Sequence, residues 1–176
     1  NDYENIDIGN CIHAFLQEVF SKGFKHENLM KSDFKEYYND MLEKYLVQYF
    51  SNVQTGNIFL LKKLIRKKMD FFYGNEIKRN FKEVINVEFD VNSTLKIGDK
   101  DYKLKARIDR ADVNEDGTRY IIDYKTGKAD NQLYKSFIDS STFTREIIAR
   151  NVKSFQLIIY KYLYERKYGT QIDNCV

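Results

Sequence analysis

The 176-residue chain contains no proline and no tryptophan. Average usage of about 5% predicts about eight or nine prolines. Their absence excludes collagen-like and Pro-rich disordered chains. Long hydrophobic runs are also missing. No stretch approaches the roughly 18 apolar residues of a membrane span, and no charged-then-apolar start reads as a signal peptide. Cysteine is scarce: Cys11 and Cys175 lie almost a chain length apart, which excludes zinc spacing and a disulfide framework. An intracellular, cytoplasmic protein is therefore the default. Neither charge sign dominates, with 29 Lys and Arg against 26 Asp and Glu and a net charge of +3. That is too balanced for a histone-like binder, but it leaves room for a local anion site. What the chain does have is aromatic mass, 14 Tyr and 13 Phe, which need burial and exclude a disordered tail. Its length suits one core that buries roughly 70% of the unfolded surface. The start at Asn1 instead of Met reads as excision from something larger.

Periodicity divides the chain into a mainly helical part, 1–80, and a sheet with a final helix, 81–176. Together they form one α+β domain spanning 1–176. Ile8, Ile12, Phe15, Leu16, Val19 and Phe20 recur at helical spacing up to a stop near Gly23. Asp33 with Glu36 predicts a capping box, followed by an apolar stripe of Tyr37, Met41, Leu42, Tyr45, Leu46 and Tyr49. A third helix is expected from Asn57 to about Tyr73. Its five basic residues between Lys62 and Lys68 read better as a solvated face than as a nucleic-acid contact. The period then changes to two in Val84 to Val91 and Tyr102 to Ile108, with turn chemistry at Asn92-Ser93 and Gly98-Asp99. Arg119 to Lys125 predicts a third strand. Val152 to Tyr168 predicts a last helix capped at Gly169, and Gln171 to Val176 the opening of another strand.

The chemistry gathers where the third strand ends. In Ile121-Ile122-Asp123-Tyr124-Lys125-Thr126-Gly127, Asp123 and Lys125 project to one face and Ile122 and Tyr124 to the other. An isolated Asp-x-Lys is usually a surface ion pair, but this one closes an apolar strand. If Glu115-Asp116-Gly117 forms a three-residue hairpin loop with Gly117 at positive φ, Asp109 falls directly opposite Asp123. A two- or four-residue loop makes the pair diagonal instead. Carboxylates held about 5 Å apart repel unless they share a proton or a divalent cation. Oxygen donors of this kind suit Mg²⁺ or Mn²⁺.

This arrangement resembles the core of the PD-(D/E)XK nuclease superfamily, and the segments ARIDRAD and IIDYKTGK resemble its RecB/AddB type. Gly9-Asn10-Cys11-Ile12-His13 is similar to the family's upstream Gly-x-x-x-His motif. Gln156-Leu157-Ile158-Ile159-Tyr160 is similar to its downstream Gln-x-x-x-Tyr motif. The resemblance implies a restriction-endonuclease-like fold, a mixed central sheet with an antiparallel hairpin flanked by helices. It also implies roles. Asp109, Asp123 and Lys125 are catalytic. His13, Asp109, Asp123 and the Tyr124 main-chain carbonyl ligate a Mg²⁺ or Mn²⁺ ion, and Glu88 matches a further acidic position. Gln156, Tyr160, Arg110, Thr126 and Gly127 position the site or meet DNA. Some relatives carry an iron–sulfur cluster on one Cys upstream and three downstream. Here Cys11 lies inside the His motif and Cys175 stands alone after the last helix, so nothing in this chain supports a cluster. No phosphate-cradling Gly-x-x-x-x-Gly-Lys-Ser/Thr is present either.

The expectation is a metal-dependent DNA exonuclease acting in double-strand break repair and recombination. It would be part of a helicase–nuclease polypeptide or complex, with DNA and a helicase as partners and no membrane association. Two alternatives stay open: a structure-specific endonuclease on the same core, and an inactive copy that binds DNA or a partner.

Overall fold

In the computed structural model of the chain, the described residues are 2–51, 56–126 and 155–176. Helix α1 (Asp2–Val19) is followed by a 3-10 turn, His26–Met30, and then α2 (Phe34–Phe50) and α3 (Gly56–Lys78). Strands β1 (Phe81–Ile97), β2 (Lys100–Asn114) and β3 (Arg119–Ile122) come next, then α4 (Gln156–Tyr168) and a short β4 (Asn174–Cys175). The sheet runs β1-β2-β3-β4. β1/β2 and β2/β3 are antiparallel and β3/β4 is parallel. This is an α+β, restriction-endonuclease-like arrangement with a mixed sheet.

The helical stripes bury as their periods require, with one rotation. On α1, Cys11, Ile12, Phe15, Leu16 and Val19 are buried. The chain leaves the helix through Gly23 at φ +83°. Gly23 N–H bonds Val84 O, and Val84 N–H bonds Phe24 O, pinning the exit to β1. On α2 the buried row is Tyr38, Leu42, Leu46 and Phe50, while Tyr37 is exposed. The expected Asp33–Glu36 capping box does not form. Asp33 is itself in the right-handed helical region and its side chain makes no cap bond. Helix α3 outruns the expected end at Tyr73 and reaches Lys78. These helices and the start of β1 enclose one apolar cluster. A second lies between α4 and the sheet, around Val91, Ile108, Ile121 and Leu163. Each such side chain contributes about 1.5–3 kcal/mol when fully buried.

The sheet half corrects two boundaries. Asn92 and Ser93 are not a turn; they pair with Lys105 and Leu104 inside one long hairpin that reverses at Gly98-Asp99. Gly98 takes φ +58° there. The alternation of burial continues through Val91, Ser93 and Leu95, and nothing at Asn92 breaks it. The third strand stops at Ile122, not Lys125: its last pair with β2 is Arg110–Ile122, and beyond it only the β4 side still pairs, through Asp123 N–H to Val176 O. Gly169 caps α4 at φ +62°, its N–H on Glu165 O. The expected last strand is the short parallel β4, and residues 152–154 of the expected last helix lie outside the described residues. Among the described residues, no helix is long and apolar enough to cross a membrane.

Candidate active site

The β2–β3 connection sets the site. Asn114 N–H bonds Thr118 O, and Gly117 takes φ +85°. Arg110 pairs Ile122 and Ala111 pairs Ile121. The β2–β3 ladder ends at Arg110–Ile122, with Asp109 and Asp123 the next residue on each strand, and the Asp123 charge reaches the Asp109 carboxyl. On the other side, Glu88 falls between the pairs Val87–Arg110 and Phe89–Ile108, opposite Asp109. Glu88 and Asp109 therefore stand in one row across β1 and β2, with Asp123 just past the end of β3. Glu88 alone among the described non-glycine residues has positive φ, +44°. Val87 packs on the α1–α3 side and Phe89 on the α4 side. The irregularity at Glu88 thus switches the strand's faces and aims its carboxylate at α1.

His13 enters from α1, where Cys11 and Ile12 in the core leave it at the helix edge. Its Nδ1 lies 3.2 Å from Glu88 Oε1 and 3.5 Å from Asp109 Oδ1. Its Nε2 lies 3.2 Å from the main-chain oxygen of Tyr124. One donor atom each from His13, Glu88 and Asp109 falls within 4.8 Å of the others. Both ring nitrogens thus face oxygens that only accept, and a neutral imidazole can donate through just one of them. A cation among these donors resolves that mismatch, so the residues fit a divalent metal. The N–H of Tyr124 holds the other Asp109 oxygen at 2.6 Å. Burial is the main cause that lifts the Asp109 carboxyl to about 6. The Tyr124 N–H and His13 pull it down, and the Asp123 and Glu88 charges push it up.

Asp123 and Lys125 do project together, with Lys125 Nζ 2.5 Å from Asp123 Oδ2. Gln156, at the first turn of α4, binds both. Lys125 Nζ donates to its Oε1 at 3.0 Å, and its Nε2 donates to Asp123 Oδ1 at 2.9 Å. The same amide reaches the Tyr160 hydroxyl one turn on, at 2.6 Å. All four residues expected at the end of β3 and on the last helix are thus joined. The carbonyl of Thr126 accepts Lys68 Nζ at 3.2 Å, and Gly127 lies outside the described residues. In the basic run of α3, Arg66 forms a forked pair with Glu43.

Of the two roles expected for Arg110, meeting DNA or positioning the site, its burial leaves only the second. Arg110 is 0% exposed and cannot meet a DNA phosphate from there. Its guanidinium makes a two-pronged bond to Asp112 at 2.6 and 2.8 Å and donates to Glu76 at 2.8 Å and to the Tyr124 hydroxyl at 3.3 Å. Arg79 closes the network through Glu76 and Asp112. Phe20 and Phe81 cover the Arg110 guanidinium at 4.4 and 4.8 Å. Arg110 therefore acts inward, bracing the residue whose peptide holds Asp109. Sequence reasoning missed Glu76, Arg79 and Asp112. Only Asp112 left a signal, since it lies two residues from Arg110 on the same strand face. Arg107, two residues before Asp109, donates to Glu88 Oε2 at 2.8 Å.

Comparison with known proteins agrees with this geometry. The chain is 28% identical over 156 residues to an ATP-dependent helicase/deoxyribonuclease subunit of Clostridium perfringens (strain SM101 / Type A). It is 27% identical over the same length to the protein of that name from strain ATCC 13124. Each alignment covers 74% of this chain but only 13% of the relative. No solved structure matches significantly. The model of the PD-(D/E)XK nuclease superfamily matches residues 1–174. With its carboxylate row, the Asp123-x-Lys125 pair and a family match over almost all of its length, this chain belongs to the PD-(D/E)XK nuclease superfamily.

Proposed function

We propose that the chain is a Mg²⁺- or Mn²⁺-dependent deoxyribonuclease, acting as an exonuclease and working with a helicase in double-strand break repair. The observation that carries this reading is the convergence of His13, Glu88 and Asp109 beside the Asp123–Lys125 pair. The relatives' name, a helicase/deoxyribonuclease subunit, supports DNA as substrate and a helicase as partner. Such work belongs in the cytoplasm. His13, Glu88, Asp109, Asp123 and the Tyr124 carbonyl would hold a divalent cation, which would supply an acidified water and neutralise charge developing on the phosphate.

The chain's own residues do the rest. Lys125 presents an ammonium beside Asp123, where it orients the attacking water and stabilises the pentavalent phosphate. Gln156 holds that ammonium and the Asp123 carboxylate in one plane of hydrogen bonds, and Tyr160 fixes the amide's orientation. The Tyr124 N–H keeps one Asp109 oxygen occupied, so the other, beside His13 Nδ1, would be the one to meet a cation. The test is degradation of linear and of covalently closed circular DNA with Mg²⁺ or Mn²⁺. Linear DNA is degraded, the closed circle is spared, and EDTA stops the reaction. Asp123→Ala and Lys125→Ala each slow cleavage by at least about a hundredfold while DNA binding persists. Undiminished cleavage by Asp123→Ala refutes the mechanism, and cutting of the closed circle reassigns the enzyme as an endonuclease.

A further inference from the structure

Beyond the acidic row, β1 and β2 continue as a two-stranded ribbon. β3 pairs only with Arg110 to Val113, whereas the β1–β2 pairing runs on to Ile97–Lys100. The ribbon's two faces differ sharply. Leu104, Ala106 and Ile108, with Phe89 and Val91, belong to the apolar cluster under α4. The alternate residues Lys103, Lys105 and Arg107 are all exposed. Along a strand they stand about 6.7 Å apart, two residues at each step. That is the reach of one nucleotide in an extended strand. Arg107 closes the row on Glu88 of the metal cluster, so the basic row and the acidic row meet end to end.

At Lys103 and Lys105 the neighbours favour an external anion over internal pairing, whereas Arg107 is already paired with Glu88. Opposite Lys105 stands Asn92, and opposite Lys103 stands Thr94, both neutral hydrogen-bonding side chains and both exposed. Asp90 faces Arg107, but its closest approach to Lys105 is 3.9 Å between two largely exposed groups. Such a contact is worth little. Lys103 has no ion pair among the described residues. Lys96 stands across from Asp101 at the ribbon's far end, where the row stops.

We infer that this ribbon face is a phosphate track. Lys103, Lys105 and Arg107 receive successive backbone phosphates of a nucleic-acid strand leading to the acidic row, and Asn92 and Thr94 donate to the same strand. The inference rests on the reading of the chain as a nuclease, but its test does not need cleavage. Binding of a labelled single-stranded oligonucleotide of about twenty nucleotides is measured in EDTA as a function of salt. The proteins compared are wild type, Lys103→Gln/Lys105→Gln and the control Lys22→Gln/Lys44→Gln. The control carries the same charge change at exposed positions away from the ribbon.

Each lost phosphate contact lowers the slope of log K against log salt by about 0.7 for single strands. The ribbon double variant is expected to lose about 1.4 from the slope and about tenfold in affinity at low salt, with its fold and melting temperature unchanged. The control keeps both values. An unchanged slope for the ribbon variant, an equal loss in the control, or wild type with no salt-dependent binding each overturns the track. A wild type that never cleaves yet shows the ribbon-specific slope change removes the nuclease reading and keeps the track. A wild type that cleaves with no slope change does the reverse.

Discussion

Replacing Asp109 by Asn should make the metal-free protein more stable at pH 8 while abolishing its activity. Asp109 is 8% exposed, and burial with two neighbouring carboxylates lifts its carboxyl from the ordinary 3.8 to about 6. A group that titrates higher folded than unfolded binds its proton more tightly in the folded state. Raising the pH therefore costs stability. The penalty is absent below about pH 4, builds between 4 and 6, and is complete above 6. A rise of this size corresponds to on the order of 3 kcal/mol, from 1.36 kcal/mol per unit. The neutral Asn escapes the penalty, and its carbonyl can still accept the Tyr124 N–H. Urea denaturation in EDTA at pH 4, 6 and 8 measures the difference between variant and wild type, in which other titrations largely cancel. The variant's advantage should be near zero at pH 4 and about 1–3 kcal/mol at pH 8. Saturating divalent metal should then reverse the order, since a ligand at a hundred times its Kd adds about 2.7 kcal/mol to the protein that binds it. A variant less stable than wild type at pH 8 in EDTA, or a difference that ignores pH, refutes the reasoning.

Two further perturbations test the frame around the row. At Glu88, φ of +44° favours glycine, so Glu88→Gly should exceed Glu88→Ala in stability by about 1 kcal/mol by denaturant titration. This reverses the usual order within a strand, and Ala above Gly would show that the backbone there is not left-handed. Arg110→Met leaves the buried Asp112 and Glu76 carboxylates with Arg79 as their one remaining guanidinium and should cost about 3–5 kcal/mol. That is about 10 °C or more in melting temperature for a domain of this length, and a loss below about 1 kcal/mol contradicts the network.

What was legible in the sequence was local in cause. Gly117 after Asp116 dictates a loop, the loop dictates the β2–β3 register, and that register runs to Arg110–Ile122, one residue short of Asp109 and Asp123. Gly169 likewise marked the end of α4 through its left-handed cap. The failures share another cause. Asn92-Ser93 has turn composition, yet the pairing on both sides carries it through as strand. Asp33 has the right neighbour for a cap but lacks the extended backbone that a cap residue needs. Arg110 looked like a surface cation because its partner Glu76 lies on a helix 34 residues upstream, and single-chain periodicity does not report such encounters. Glu88 was placed by strand order, whereas its aim comes from a backbone conformation that no residue-type preference for Glu would suggest.

The long hairpin and the metal cluster also differ in how they come together as the chain folds. β1 and β2 meet around a tight turn at Gly98-Asp99, so their first contacts close a very short loop. The cluster draws on residues 13, 88, 109 and 124, and the side chains of Asp123 and Lys125 are tied to residue 156. Closing such wide separations is the slow, entropically expensive stage of folding. The ribbon therefore forms early and the His13–Glu88–Asp109 cluster late. In a refolding chain, recovery of that cluster should lag recovered β-structure.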